Sequence, residues 1–319
     1  MSAALALLLL LPPASPPPAD ASAERRCPPA DTGCAFGRWD ASPLQDGLDE
    51  MVSSHRGKVS LYAKNMSTGE TVEVAADAVV RSASTIKMGV FLEAFHQVKE
   101  GRAKLADRLT LREEDKVQGS GILAFLRAPL DLALEDILTL MMIDSDNTAT
   151  NMAIDRVGLS AVNARFKALG LKETWLYKKV YKPAEGPLPP EQKTYGLGKT
   201  TAREMGRLLE GMVRCDLGDA ALCDRMVSIM KNQQYRNMIP HYIEADMDTS
   251  ETGSVVADKV GALDAQRSDV GIVFSPAGPI VIAAFTDGNA DQRWACENEG
   301  ELLIARLSKA VFDAWGRKK

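Results

Sequence analysis

A serine and a lysine one helical turn apart are the first candidates for chemistry in this sequence. Ser84 and Lys87 stand directly before an apolar run, Met88 to Val98, which predicts a buried helix beginning near Ser84. Residues three apart share a helix face, so the hydroxyl and the amine can meet. A serine at a helix N-terminus also lies beside unpaired backbone N–H groups and the positive end of the helix dipole. One turn can therefore supply a nucleophile, a base and an oxyanion donor.

Two further motifs follow in order along the chain. The tripeptide Ser145-Asp146-Asn147 falls at the junction between two predicted helices, and Lys259-Val260-Gly261 ends a predicted strand. A second serine–lysine pair with the same spacing, Ser228 and Lys231, lies late in a helical stretch with no Ser-Asp-Asn after it. We interpret this second pair as a solvated helix face.

Composition excludes several classes of function. The 319 residues are 45% hydrophobic and 25% charged, as in an ordinary globular protein, and the net charge of −5 argues against nucleic acid as a partner. The three histidines, His55, His96 and His241, are scattered, which argues against a histidine-based metal site and against a Ser-His-Asp triad. We expect no metal and no cofactor, and any nucleophilic serine needs a base other than histidine.

The N-terminal segment predicts export. A short apolar run, Ala3 to Leu11, is followed by small-residue cleavage sites, so residues 1–23 are predicted to be a signal peptide and 24–43 a Pro-rich leader. The run is too short to span a bilayer, so no stable membrane span is expected. The predicted location is periplasmic or secreted. The alternative is a disordered Pro/Ala-rich tail.

Export gives the five cysteines a meaning, because disulfides persist outside the cytoplasm. Cys27 and Cys34 flank one short loop, and Cys215 and Cys223 flank another. Each pair could close its loop, which leaves Cys296 unpaired, although the sequence alone does not settle the pairing.

The pattern of strands and helices predicts an α+β fold. A first helix over Leu44 to Val52 precedes two strands in 58–74, and three more strands follow in 254–285. A last helix runs from an Asn298 N-cap to Trp315. Strands at both ends of a helical block predict one five-stranded antiparallel sheet, flanked by the N- and C-terminal helices, with an all-helical subdomain inserted. The predicted catalytic domain is 44–316, with 44–82 and 229–316 as its α/β part and 83–228 as its helical part.

Taken in this order, the three motifs resemble the signature of class A β-lactamases and penicillin-binding proteins. Three further segments also look like parts of that family in the expected order: Thr200 to Met205, Arg236 to Pro240 and Val256 to Lys259. The resemblance covers 44–316 and implies a β-lactamase-like fold.

The resemblance also implies catalytic roles. Ser84 would attack a lactam or peptide-like carbonyl and form an acyl-enzyme, and Lys87 would accept its proton. Ser145 would pass a proton to the leaving nitrogen. Asp146 is expected to buttress the turn.

Substrate binding would fall to four other residues. Asn147 would hold Lys87 and the substrate amide, and Lys259 would attract the substrate carboxylate. Gly261 and Ala262 belong to the binding strand, and the backbone N–H groups of Ser84 and Ala262 would form an oxyanion hole.

Two departures from the family pattern affect these expectations. Val260 stands where the family usually has a hydroxyl residue, which removes a hydrogen bond worth on the order of 1 kcal/mol. The long loop 177–198 lacks the family's Glu-x-x-Leu-Asn sequence, whose glutamate primes the deacylating water. Simple alignment puts Val180 or a neighbour at the place of that glutamate. Glu185 and Glu191 lie downstream and could replace it only if the loop follows a different path.

The expected function is therefore hydrolysis of β-lactams by an exported serine enzyme with slow deacylation. One alternative is a cell-wall D-Ala peptidase or esterase on the same scaffold, and another is a non-catalytic penicillin-binding or sensing protein. The expected partner is a small β-lactam or peptidoglycan-like acyl substrate, and a monomer is expected.

Overall fold

The computed structural model describes residues 43–243 and 254–317. The strands in this part of the chain are β1 Lys58–Asn65, β2 Thr71–Val74, β3 Val80–Arg81, β4 Arg108–Leu111, β5 Leu130–Ala133, β6 Trp175–Leu176, β7 Gly198–Thr200, β8 Val255–Leu263, β9 Gln266–Ser275 and β10 Gly278–Asp287. The α-helices are α1 Leu44–Ser53, α2 Lys87–Lys99, α3 Leu134–Ile143, α4 Asn147–Val157, α5 Leu159–Ala168, α6 Gln192–Tyr195, α7 Ala202–Val213, α8 Ala220–Met230 and α9 Glu299–Trp315. The predicted signal peptide and all but the last residue of the predicted leader lie outside the described residues.

The main sheet is antiparallel and has five strands in the order β2-β1-β10-β9-β8. This confirms the predicted sheet assembled from both ends of the chain. Strand β8 lies at one edge, with Lys259 opposite Val270 and Gly261 opposite Ser268 on β9. Lys259 and Gly261 are two residues apart on the strand, so both lie on the same face of the sheet.

Both faces of this sheet are buried, which explains the nearly continuous apolar runs in its strands. Along β10, Val281, Ala283 and Phe285 belong to the hydrophobic core that also contains the apolar residues of α2, α3 and α7. The alternate residues Ile282 and Ala284 belong to a second core with apolar residues of α1 and α9. Two separate cores thus meet the two faces of one sheet. The predicted division of the chain at 83 and 228 stays a prediction.

The block predicted as helical also carries short strand segments. Within it β4 pairs with β5, and β6 and β7 form a small sheet with β3, which lies just before the block. Helix α3 begins at Leu134, directly after the last residue of β5. Segments of two to four residues are too short to show a period of two in the sequence.

The last helix agrees with its predicted start. The Asn298 side chain accepts hydrogen bonds from the backbone N–H groups of Gly300 and Glu301, which satisfies two donors that a helix leaves open at its first turn. No helix within 43–243 and 254–317 is both long and apolar enough to cross a bilayer.

The cysteines gave one confirmed and one wrong prediction. Cys215, just after α7, and Cys223, in α8, form a disulfide, as predicted. Cys296 is disulfide-bonded as well, so the expectation that it is unpaired is wrong. Loop length alone favoured neighbours in sequence, whereas disulfide formation depends on distance in the folded chain. Cys27 and Cys34 lie outside the described residues.

Replacing Cys215 and Cys223 together by serine should lower the free energy of unfolding by about 2–3 kcal/mol. A loop of this length restricts the unfolded chain by roughly that amount. Chemical denaturation of the wild type and the double variant, both without reductant so that Cys296 stays bonded, measures the difference. Equal stability of the two proteins would contradict the prediction.

Candidate active site

The turn that carries Ser84 is a 3₁₀-helix, Ala83–Ile86, which leads directly into α2. Lys87 is the first residue of α2, so the predicted helix start is confirmed, but its first turn is wound more tightly than an α-helix. Ala83 has a φ of 43°, in the left-handed region that non-glycine residues seldom adopt. Ser84 remains half-buried, whereas Lys87 is fully buried.

The Lys87 ammonium joins the first two motifs. Its Nζ donates to the carbonyl oxygen of Ser145 at 2.6 Å, to Asn147 Oδ1 at 2.9 Å and to Ser145 Oγ at 3.1 Å. Three acceptors match the three donors of an ammonium group. The structure therefore brings Lys87, Ser145 and Asn147 together as the motifs suggested.

Burial makes this lysine a plausible base. The pKa of Lys87 lies well below the ordinary lysine value, mainly because the charged form loses its hydration and also because the positive charge of Lys259 is near. The carboxyl groups of Asp146 and Asp144 act in the opposite direction and only partly offset these effects. A neutral amine is the form that can accept a proton from a serine hydroxyl.

Asp146 holds the turn between α3 and α4. Its Oδ1 accepts from the N–H of Ala149 at 2.8 Å and so caps α4, while its Oδ2 accepts from the N–H groups of Ile122 and Leu123, each at 2.8 Å. The expectation that Asp146 buttresses the turn is confirmed. This anchoring helps to keep Ser145 at a φ of 54°, which an isolated serine would avoid.

The edge strand β8 comes against the Ser84 turn at Gly261. A Cβ atom on Gly261 would lie 3.0 Å from the backbone nitrogen of Ser84, 3.1 Å from that of Thr85 and 2.7 Å from Ser268 Oγ. Only glycine allows this approach. The third motif therefore reaches Ser84 through its backbone, and Ala262 follows it immediately on the same strand.

Comparisons with known proteins agree with this arrangement. Residues 43–315 match the model of the β-lactamase enzyme family. The chain belongs to the β-lactamase enzyme family. With this membership it is a serine hydrolase of the β-lactamase type, and the predicted family resemblance is confirmed.

Solved structures of the same fold support the assignment to this β-lactamase family. A β-lactamase from Sphaerobacter thermophilus is 30% identical over 87% of this chain and 98% of its own, with a TM-score of 0.75. PBP-A is 27% identical over 87% of this chain and 97% of its own, with a TM-score of 0.71. An ancestral class A β-lactamase, at 20% identity and a TM-score of 0.72 over 85% of this chain and 99% of its own, shares the fold.

In this β-lactamase-family protein the long loop 177–198 contacts α4 through Val180. The Asn151 side chain accepts from the N–H of Val180 at 2.8 Å and donates to its carbonyl oxygen at 2.9 Å. Asn151 lies one turn after Asn147 on the same face of α4, and Asn147 holds Lys87. The loop thus fixes Val180 against Asn151, one helical turn from Asn147. The role of Asn151 was not predicted from the sequence.

The two glutamates of this loop are bound elsewhere. The Glu185 side chain is 82% exposed and pairs with Lys179 at 3.4 Å. Glu191 accepts from the Tyr177 hydroxyl at 2.9 Å and lies 3.4 Å from Lys199 Nζ. Within the described residues, neither glutamate forms a hydrogen bond with Lys87, Ser145 or Asn147. Both carboxylates instead pair with residues of the loop and its neighbouring strand.

Lys259 occupies a buried position behind the strand edge. Its Nζ donates to the carbonyl oxygen of Val260 at 2.7 Å, and burial lowers its pKa to about 7 against the opposing influence of Asp258, Asp269 and Asp144. Its protonation state therefore changes near neutral pH. Residues 43–243 and 254–317 contain no group of three or more His, Cys, Asp or Glu side chains arranged to hold a metal ion.

The rate constant for reaction with a chromogenic β-lactam should fall above about pH 7. Lys259 must be protonated to attract a substrate carboxylate, and its pKa of about 7 means that it loses this charge as the pH rises. Arginine stays charged throughout this range, so Lys259→Arg should move the alkaline limb to higher pH even if the maximal rate is lower. The measurement is a pH profile of kcat/KM. Lys231→Arg, in the second serine–lysine pair, is the matched control and should keep the wild-type limb. An alkaline limb at the same pH in Lys259→Arg would contradict the assignment.

Proposed function

We propose that this protein opens β-lactam rings through an acyl-Ser84 intermediate and releases the acyl group slowly. The observation that carries the proposal is the buried amine of Lys87, which shares one helical turn with Ser84 and is hydrogen-bonded to both Ser145 and Asn147. A buried lysine with a lowered pKa can act as the base that this histidine-poor sequence requires.

Acylation can be written with these groups alone. Ser84 Oγ attacks the lactam carbonyl carbon and transfers its proton to Lys87 Nζ. The attack forms a C–O bond and a tetrahedral oxyanion. Collapse of the oxyanion breaks the C–N bond. The ring nitrogen takes a proton from Ser145 Oγ, and Lys87 replaces that proton across the 3.1 Å contact. The proton of Ser84 thus ends on the leaving nitrogen, and Lys87 returns to its neutral form.

The substrate would lie along the exposed end of β8. The backbone N–H groups of Ser84 and Ala262 serve as oxyanion donors, and loss of one such donor typically costs about 10²- to 10³-fold in rate. Lys259 attracts the carboxylate of the substrate. Val260 offers no hydroxyl to that carboxylate, so we expect weaker binding than in family members that have one.

A solved relative supports the covalent intermediate. A variant of PBP-A, 27% identical to this chain over 87% of its length, has been solved as an acyl-enzyme complex with penicillin G. The same ligand is therefore a suitable probe for Ser84.

Intact-mass spectrometry after mixing with penicillin G tests the proposal. We expect an adduct with the mass of one penicillin, mapped to Ser84 by proteolysis and absent in Ser84→Ala. Ser228→Ala removes the serine of the second serine–lysine pair and should acylate like the wild type. If the wild type forms no adduct, or if Ser84→Ala still hydrolyses the drug rapidly, the proposal fails.

Slow deacylation follows from the loop that covers α4. This loop fixes Val180 against Asn151, one helical turn from Asn147, and Glu185 and Glu191 are engaged elsewhere. No loop carboxylate is thus placed to activate a water against the acyl ester.

Val180→Glu should accelerate decay of the acyl adduct by about 10- to 100-fold. A positioned general base is typically worth about 10²- to 10⁴-fold, and we expect less here because the surrounding residues do not orient the new carboxylate. Val180→Gln has the same size but no basic carboxylate, and it is the matched control. Adduct lifetimes are read by mass spectrometry after removal of excess drug. Equal lifetimes for the Glu and Gln variants would show that a carboxylate at this position does not activate water.

A cell-wall D-Ala peptidase or esterase is the second candidate, and the valine at position 180 favours it. An acyl-enzyme that resists water can still transfer its acyl group to another acceptor. Release of D-alanine from a muropeptide, together with a persistent penicillin adduct, would identify this activity. We also propose a periplasmic or secreted location, which the bonded state of Cys215, Cys223 and Cys296 supports.

A further inference from the structure

We propose that Ser268 is a positioning residue for the oxyanion hole, acting through the peptide bond that joins Gly261 to Ala262. This inference rests on the proposed acylation of Ser84. It gives a role to a residue that lies outside the three motifs and that sequence reasoning did not select.

Ser268 faces Gly261 across the two edge strands of the main sheet. It lies on β9 directly opposite Gly261 on β8, it is fully buried, and its Oγ donates to the carbonyl oxygen of Gly261 at 3.0 Å. The hydroxyl is thus committed to one backbone carbonyl.

The geometry of the peptide bond relates this contact to the direction of the Ala262 N–H. The carbonyl of Gly261 and the N–H of Ala262 belong to one planar trans peptide, so the two groups point in opposite directions. Because the carbonyl is directed toward β9, the N–H of Ala262 is directed away from β9, to the open side of the edge strand. This is the direction that an oxyanion donor beside Ser84 requires.

The same contact strengthens the donor. A hydrogen bond to a peptide carbonyl draws electron density from the peptide nitrogen, which makes its N–H more positive, and linked hydrogen bonds of this kind reinforce one another by roughly 10–30%. The hydroxyl of Ser268 also restrains rotation of the peptide plane. Both effects act on the transition state, in which the carbonyl oxygen gains negative charge, more than on the bound substrate.

The hydroxyl of Ser268 does not replace the one that is missing at Val260. Directly opposed residues of an antiparallel pair point to the same face, so Ser268 shares a face with Gly261, and Val260 shares the other face with Asp269. A Cβ on Gly261 would meet Ser268 Oγ at 2.7 Å and the Ser84 nitrogen at 3.0 Å, so the hydroxyl and the second oxyanion donor flank the same α-carbon. Ser268 therefore acts on the oxyanion peptide and not on the substrate carboxylate.

The test compares wild type, Ser268→Ala and Ser308→Ala. Ser308 is the matched control, because it is also fully buried, it lies on α9, and its hydroxyl makes no hydrogen bond within the described part of the chain. Stopped-flow measurement with a chromogenic cephalosporin separates the acylation rate constant from the dissociation constant of the precovalent complex. Infrared difference spectroscopy of the penicillin G acyl-enzyme reports the ester carbonyl frequency, which rises when the oxyanion hole polarises the carbonyl less.

For Ser268→Ala we expect acylation to slow by about 3- to 10-fold, less than the roughly 10²- to 10³-fold cost of removing a donor outright. The dissociation constant should stay within about twofold of the wild type, and the ester carbonyl band should move to higher frequency. Ser308→Ala should match the wild type in all three readouts. Ser268→Thr keeps the hydroxyl and should restore the wild-type band.

The outcomes separate the two proposals. If the wild type forms no Ser84 adduct, the proposed function fails and this inference fails with it. If the adduct forms but the carbonyl band is the same in wild type and Ser268→Ala, the positioning role alone is overturned. A weaker precovalent complex with an unchanged acylation rate constant and an unshifted band would likewise overturn it. That result would show a general disturbance of the strand.

Discussion

The hydrogen bonds of the buried Lys87 amine are the interaction on which the rest of the site depends. They join the start of α2 to the turn before α4, two segments that come from different parts of the chain. Burial of an amine is unfavourable unless it is well bonded or loses its proton. Since the unfolded chain would bind a proton at Lys87 more tightly than the folded one, this residue lowers stability at neutral pH, and the loss diminishes as the pH rises toward the ordinary lysine pKa. The same burial that lowers stability also lowers the pKa of Lys87.

The rest of the site depends on local backbone features, a helix cap and a glycine, that place other groups near this amine. Asp146 caps one helix and anchors a neighbouring loop, and this fixes the turn that carries Ser145. Gly261 allows the edge strand to approach the Ser84 turn. The groups of the site thus lie on a helix start, a capped turn and a strand edge. The long loop contacts this frame at Asn151 on α4, through the backbone of Val180.

Much of this arrangement is predictable from the sequence, because motifs and strand patterns are local. The strands of the sheet, the Asn298 cap and the turn role of Asp146 follow from short segments with local signals, and the Cys215–Cys223 disulfide joins two cysteines close in sequence. What the sequence did not reveal depends on distant pairing. The bond between Asn151 and Val180, the bonded state of Cys296 and the contact of Ser268 with Gly261 each depend on residues that folding alone brings together. Single polar residues at such places look like ordinary surface or core positions until their partners are known.

The position of β8 at the sheet edge also determines where another extended chain could pair with this sheet. An exposed edge strand offers unpaired N–H and C=O groups to any other extended chain. Here α8 and the 3₁₀ turn of Ser84 contact β8, most of the strand is buried, and its accessible end is confined to the last residues, Ala262 and Leu263. A substrate that lies along this end would therefore occupy the place of a further strand. Addition of an extended peptide to an exposed strand edge is a known mode of peptide recognition, and here it would be limited to this short end of β8.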